Sequence, residues 1–198
     1  MPVNTYLTSE EQARLERTIV GIAGAGGLGS NVAVHLVRAG VRRLVIADFD
    51  VVSPSNLNRQ FFFRDQIGRR KVEALAENLR RIEPDLELIL HDVRLDAANL
   101  PSIFGACDVV VEAFDNVESK SAILSTLRDR PVVYASGLAG WGRSNAMKVR
   151  RLGANLVLVG DCTSDIRSGL APQSARVGIA AAMQANAVLS LLLGRPDL

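Results

Sequence analysis

Apolar residues in this chain come in short unbroken runs, separated by stretches whose apolar positions recur at helical spacing. Thr18–Ala23 is the first run, and it ends in glycines, the mark of a strand buried on both faces. Gly27–Ala39 follows as a helix with Leu28, Val32, Leu36 and Ala39 on one side, stopped by Gly40. Ahead of this pair, Ser9–Arg17 reads as a short polar helix with Ser9 as N-cap. The alternation then repeats. It gives a strand at Leu44–Ala47, a turn-rich segment from Phe49 to Asp65 and a helix over Arg69–Ile82 closed by Pro84. A strand at Leu86–His91, a short helix at Asn99–Gly105 and a strand at Asp108–Ala113 follow. The helix Val117–Arg130 and the strand Pro131–Ala135 complete the series. Strands alternating with helices imply parallel pairing through right-handed crossovers, so the predicted class is α/β with a doubly wound, mainly parallel sheet.

The pattern changes after Ser136. Gly137, Gly140 and Gly142 surround the only tryptophan, Trp141. Ala146–Arg151 and Asn155–Val159, separated by Gly153, suggest a hairpin and hence a C-terminal antiparallel extension. Ser174–Leu193 closes the chain as a largely apolar helix. Within it, Val177–Gly194 has 18 residues without a charge, long enough for a membrane span. Its alanines and its Gln184, Asn186 and Ser190 favour a buried helix instead. One domain over residues 1–198 is expected, with a core at about 18–136 and the extension at about 137–198.

Composition narrows the classes. With 198 residues, 48% hydrophobic and 22% charged, the chain matches an average soluble globular protein and excludes a disordered or collagen-like one. A formal net charge of +2 argues against nucleic acid as the main partner. Cys107 and Cys162 form no Cys-x-x-Cys pair, so neither a zinc ribbon nor a disulfide framework is expected. The first residues show no signal-peptide pattern, and the expected setting is the cytoplasm, with no membrane partner.

The chemistry starts at the first strand–helix junction. Gly24-Ala25-Gly26-Gly27-Leu28-Gly29 fits G-x-G-x-x-G with a strand before it and a helix after it, a Rossmann-like arrangement. Such a turn lets backbone N–H groups meet a phosphate at the helix N-terminus. Asp48 ends the second strand roughly twenty residues on, where a carboxylate accepts from a ribose. These features indicate a nucleotide without choosing between a dinucleotide and ATP. The following segment favours ATP. Between Arg59 and Arg81 stand seven basic residues against three acidic ones. A triphosphate needs such cations, whereas backbone alone serves a dinucleotide bridge. Arg80, Arg81 and one of Arg69 and Arg70 suit a solvated face. Lys71, expected exposed like Arg59, opposes the helix dipole in a first turn, which suggests an anionic ligand. Asp115, beyond the fourth strand, suits Mg2+; it or Asn116 can equally cap the next helix.

Taken together, Gly24–Asn31, Asp48–Gln60, Gly68–Lys71 and Phe114–Asn116, with the weaker block Gly178–Ala185, resemble the ubiquitin-activating-enzyme-like superfamily in its ThiF/MoeB/HesA branch. The compact length and Ser136–Asn145 resemble the short ThiF-type sulfur-carrier adenylyltransferases of thiamine synthesis. The resemblance implies Mg·ATP-dependent adenylation of the C-terminal glycine of a small ubiquitin-like sulfur carrier ending in Gly-Gly, releasing pyrophosphate. It implies that Gly24, Gly26, Gly27 and Gly29 line the nucleotide and that Asp48 holds the ribose. Asn56, Arg59, Gln60 and Lys71 would bind the phosphates, and Asp115 would ligate Mg2+; Arg59, Lys71 and Asp115 carry the catalytic roles. It implies a homodimer, with Arg14 or Arg17 as an arginine given to a partner, and a crossover near residues 137–145 that receives the carrier. The zinc-binding cysteine pairs of longer members are absent, so no structural zinc is expected. Cys162 is a candidate acceptor thiol or a bystander, and Cys107 a core residue.

Two other functions fit part of the pattern. An NAD-dependent oxidoreductase explains the glycines and Asp48 but leaves the basic cluster and Asp115 idle. A non-catalytic scaffold subunit of an activating heterodimer has no use for a complete site.

Overall fold

A computed structural model of the chain describes residues 6–165 and 169–194. Seven strands form one sheet in the order β3-β2-β1-β4-β5-β7-β6. These are β1 (Ile19–Ala23), β2 (Arg43–Ala47), β3 (Glu87–His91), β4 (Val109–Glu112), β5 (Val132–Ala135), β6 (Lys148–Arg151) and β7 (Leu156–Gly160). The helices are α1 (Ser9–Arg17), α2 (Gly27–Ala39), α3 (Lys71–Arg80), α4 (Leu100–Phe104), α5 (Val117–Thr126) and α6 (Ser174–Leu193). Every pairing is parallel except β6 with β7, where Lys148 faces Gly160 and Arg151 faces Val157. The predicted doubly wound sheet with an antiparallel extension is the observed one.

The central strands β1, β2, β4 and β5 are mainly apolar because both faces are covered, whereas the edge strands β3 and β6 carry Glu87, Lys148, Arg150 and Arg151. Side chains alternate between two cores. Val20, Ile22, Leu44, Ile46, Val109 and Val111 meet α2, α3 and α6 on one face. Ala23, Val45, Ala47 and Val110 meet Phe104 of α4 and Ile123 of α5 on the other. The chain turns back between β1 and β4, so a crevice opens beyond their C-terminal ends, the position at which open sheets bind ligands.

Several boundaries moved for identifiable reasons. Thr8, not Ser9, caps α1, in a reciprocal capping box with Glu11. Residues 69 and 70 do not open α3. Val52 N–H donates to Arg69 O, and Val51 bridges Arg70, so this stretch is extended. α5 stops at Thr126: Pro131 disfavours helix just before it, and the Arg130 guanidinium donates to the carbonyls of Phe104, Gly105 and Cys107. α6 has the length and apolarity of a membrane span, with mean hydropathy 1.5, yet Val177, Ala180, Ala181, Val188 and Leu192 lie in the core.

A buried ion pair joins Arg176 at the head of α6 to Asp161 beyond β7. Burial alone would raise the Asp161 pKa, but N–H groups of Ser164 and Thr163 and the Arg176 charge hold it down to about 2. The unfolded carboxyl titrates near ~3.9, so folding releases protons between those values. The stabilisation is therefore complete above about pH 4 and is lost as pH falls through the folded pKa. Acid unfolding followed by circular dichroism checks this: the stability gap between wild type and Asp161→Asn should narrow progressively from about pH 4 to pH 2.

Candidate functional site

The crevice is built from four connected segments. β1 ends at Gly24, whose φ of 102° is a left-handed conformation suited to glycine. A Cβ there would stand 2.9 Å from Ala113 O, so the glycine turn lies directly against the turn that follows β4. Gly29 is tighter still, with a hypothetical Cβ only 1.8 Å from Gly24 O. α2 starts at Gly27 without a side-chain cap on its N-terminus. Its first N–H groups therefore face the crevice as donors, and the helix dipole adds positive potential.

Asp48 is tied to this turn. One oxygen accepts from Ala25 N–H at 2.7 Å and the other from Asp50 N–H at 2.8 Å. Burial pushes its pKa up, against the pull of Lys71 and those two N–H groups. The 53–60 loop is fastened from the other side. Ser30 donates its hydroxyl to Gly26 O and accepts from Phe61 N–H, while Asn31 donates to both Gly27 O and Arg59 O. Sequence reasoning assigns these two residues no role of their own, although they close the Gly24–Asn31 block and stand as polar residues inside an apolar helix.

The Arg59 stem lies against Gly27, about 3.5 Å from where a Cβ would sit. Its guanidinium donates to Ser55 O and to Asn58 Oδ1, so its fork is held by exposed loop acceptors only. Asn56 Oδ1 accepts Ser53 N–H, which leaves its amide nitrogen as the group able to donate. Gln60 is buried, and its Oε1 has no donor among the described residues. As oriented, that atom suits an adenosine hydroxyl or amino group; turning the amide presents a donor to phosphate instead.

Lys71 departs from expectation. Its side chain is only 6% exposed, and Nζ donates to Asp50 Oδ2 at 2.7 Å. Asp50 O also accepts the Lys71 backbone N–H. The anion that offsets the helix-dipole penalty thus belongs to the chain itself. Arg69 pairs with Glu77 and Arg70 with Asp92, so of the cations in this stretch Arg59 is the one left against the glycine turn. Because Asp50 is half-exposed and can hydrate, Lys71→Met should cost only about 1 kcal/mol of stability. If Lys71 serves phosphate, the same change should lower nucleotide turnover by about a hundredfold; thermal melts alongside turnover check both parts.

Beyond β4, Asn116 accepts Ser119 N–H and caps α5. Asp115 is exposed and makes no hydrogen bond or ion pair among the described residues. No group of three or more His, Cys, Asp or Glu stands together among them either. A divalent ion on Asp115 would therefore take its other ligands from phosphate oxygens and water, which matches the habits of Mg2+. The turn is held from beneath by Glu112, which is fully buried. Its carboxylate accepts Phe114 N–H and Ala135 N–H and pairs with Lys120 at 2.8 Å. Burial raises its pKa, and Lys120 opposes this. Gln184 of α6 donates to Glu112 O and Val133 O.

The remaining candidates lie apart. α1 packs on α6, and Gly194 at the far end of that helix approaches Arg14. At 1.5 Å per residue this is roughly 25 Å from Val177, which touches Gly27, so neither Arg14 nor Arg17 reaches its own crevice. Cys162 is exposed, has φ 61°, and its Sγ contacts Arg150 at 3.4 Å. Cys107 is buried in the core, its thiol pushed up to about 12 by burial.

Residues 3–198 match the ThiF family. The chain belongs to it. Over 130 residues it is 39% identical to the adenylyltransferase and sulfurtransferase MOCS3 of Caenorhabditis briggsae, covering 64% of this chain and 32% of that protein. Against the adenylyltransferase and sulfurtransferase uba4 of Emericella nidulans it is 36% identical over 135 residues, 67% of this chain and 28% of the other. The chain thus spans about a third of the length of the curated relatives it matches. Among solved structures, the Escherichia coli tRNA N6-threonylcarbamoyladenosine dehydratase TcdA in complex with AMP superposes with a TM-score of 0.86 at 19% identity, covering 96% of this chain and 92% of that one. Escherichia coli MccB with ATP superposes at 0.73 and 21% identity, covering 92% and 57%. These ThiF-fold structures share the fold described above.

Proposed function

We propose that this ThiF-family chain transfers the adenylyl group of ATP to the C-terminal carboxylate of a small ubiquitin-like sulfur carrier ending in Gly-Gly, in the manner of a ThiS-type carrier in thiamine synthesis. The observation that carries the proposal is the uncapped glycine turn with the Arg59 stem against Gly27 and the Asp48 carboxylate tied to Ala25. A dinucleotide site leaves Arg59 and Asp115 without a task. The names of MOCS3 and uba4, adenylyltransferases both, support the same chemistry.

In this mechanism the α2 N-terminus and Arg59 hold the phosphates, and Asp48 holds the ribose. The carrier carboxylate is already ionised at neutral pH and needs no general base. It attacks the α-phosphorus, the bond to the bridging oxygen breaks, and pyrophosphate leaves. Arg59 and the turn N–H groups stabilise the charge that grows on the phosphate oxygens. Asp115 would hold Mg2+, which supplies charge neutralisation on the phosphates. Catalysis is then chiefly positioning and electrostatics. Since α1 points away from its own crevice, a second copy in a homodimer would supply any arginine contributed from that helix.

ATP–pyrophosphate exchange, measured with and without Gly-Gly-terminated carriers, tests the proposal. Carrier-dependent exchange is expected; ATP binding without any carrier dependence would move the substrate elsewhere, and an absence of both would end the proposal. Titration with NADH separates the oxidoreductase alternative.

A further inference from the structure

The Arg176–Asp161 pair is not needed by the nucleotide chemistry above. As a source of stability such a pair is weak, because apolar side chains of similar volume often do as well. Its contacts are more informative. The Arg176 guanidinium donates to Asp161 Oδ2 with one arm and to the carbonyls of Gly142 and Arg143 with the other. Asp161 Oδ1 accepts Thr163 N–H and Ser164 N–H, each at 2.8 Å. Gly137 sits so close that a Cβ there would lie 2.1 Å from Oδ1. Three pieces of chain, the head of α6, residues 137–143 and residues 161–164, are therefore joined through one buried pair.

The same crossover is fastened toward the nucleotide turn. Gly140 bridges Pro172 and donates to Ala171 O, and Asn58 Nδ2 reaches Pro172 O at 3.4 Å. Asn58 is also an acceptor for Arg59. From the other direction Val177, the residue after Arg176, packs against Gly27. Gly27, Val177, Arg176 and Gly142 thus form a continuous path from the phosphate turn to the neighbour of Trp141. Trp141 itself is 71% exposed, an unusual position for the chain's only tryptophan.

We propose that Arg176 is a positioning residue: with Asp161 it clamps the 137–143 crossover to the head of α6 and so orders the crossover and its exposed Trp141 before the extended tail of the acyl substrate arrives. The inference rests on the adenylyl-transfer reading for the identity of that tail. It assigns the clamp to capture of the tail and not to ATP. Without the clamp the crossover must be ordered during binding, and that ordering cost weakens capture while leaving the reacting groups in place.

The test uses Trp141 as its own reporter. The double variant Arg176→Met with Asp161→Leu removes both charges, so no ion is left buried and alone, but it cannot restore the bonds to Gly142 and Arg143. Arg176→Lys is the second variant, retaining the charge opposite Asp161 while losing the guanidinium's second arm. In either folded variant the steady-state fluorescence anisotropy of Trp141 should fall by roughly a quarter without any ligand present, as a local segment loosens. ATP affinity by calorimetry should stay within about twofold, while KM for a Gly-Gly-terminated ubiquitin-like carrier rises about tenfold with kcat nearly constant. Unchanged anisotropy in a folded variant overturns the clamp, as does a parallel loss of ATP affinity and kcat. If the wild type neither binds ATP nor supports exchange, the adenylylation reading fails, and the anisotropy comparison still decides whether the clamp orders the crossover.

Discussion

Arg59→Ala is expected to lower carrier-dependent ATP–pyrophosphate exchange by about 10²–10³-fold while moving the melting temperature by no more than about 2 °C. The asymmetry follows from its contacts. Its guanidinium binds only Ser55 O at 3.2 Å and Asn58 Oδ1 at 2.7 Å, both in an exposed loop that water can satisfy. Truncation therefore orphans no buried polar group, and substitutions of that kind usually cost little stability. The proposed chemistry, by contrast, would lose a fork able to bind two phosphate oxygens at once, beside the turn where negative charge would grow. Arg59→Lys should recover only part of the loss, because an ammonium supplies charge without the planar fork. Exchange within about threefold of wild type for Arg59→Ala would remove this residue from the mechanism.

Gly29→Ala should have the opposite signature, with stability and nucleotide binding lost together. The added methyl would stand 1.8 Å from Gly24 O and 2.9 Å from its carbonyl carbon. These are backbone atoms, so no rotamer change relieves the clash, and the first turn of α2 must move off β1. Gly24 also packs on Ala113 O, so the displacement carries into the Asp115 turn. A cost of about 3 kcal/mol or more is expected, with ATP affinity falling below detection by calorimetry. Gly26→Ala is the matching control. A Cβ there has only the Gln60 Nε2 atom near it, at 3.8 Å, so the fold should tolerate it.

Much of the architecture could be read from the sequence because its signals are local. The unbroken apolar runs of β1, β2 and β4 and the helical spacing in α2 each lie within one element, and the glycine turn joins two neighbours. What escaped was set by distant partners. Residues 69 and 70 look helical until Val51 and Val52 pair with them. Lys71 looks exposed until Asp50 takes its ammonium into a nearly buried site. The local charge count therefore overstated the free cations, since three of the seven are matched by Glu77, Asp92 and Asp50. Glu112 and Arg176 were missed as structural charges, although a lone ion beside an apolar run is itself a signal. Burying such a group unpaired is so costly that a partner must exist somewhere in the fold.

Asn116 takes the capping duty at the head of α5, and the adjacent Asp115 is left with no structural obligation. Neighbouring side chains thus divide labour that one carboxylate could have performed alone. With Asp115 in its proposed role, affinity for the ion, or the choice of ion, would change by substitutions at one position without loosening the helix beside it. Ion preference would then be open to adjustment, by selection or by design, independently of the scaffold.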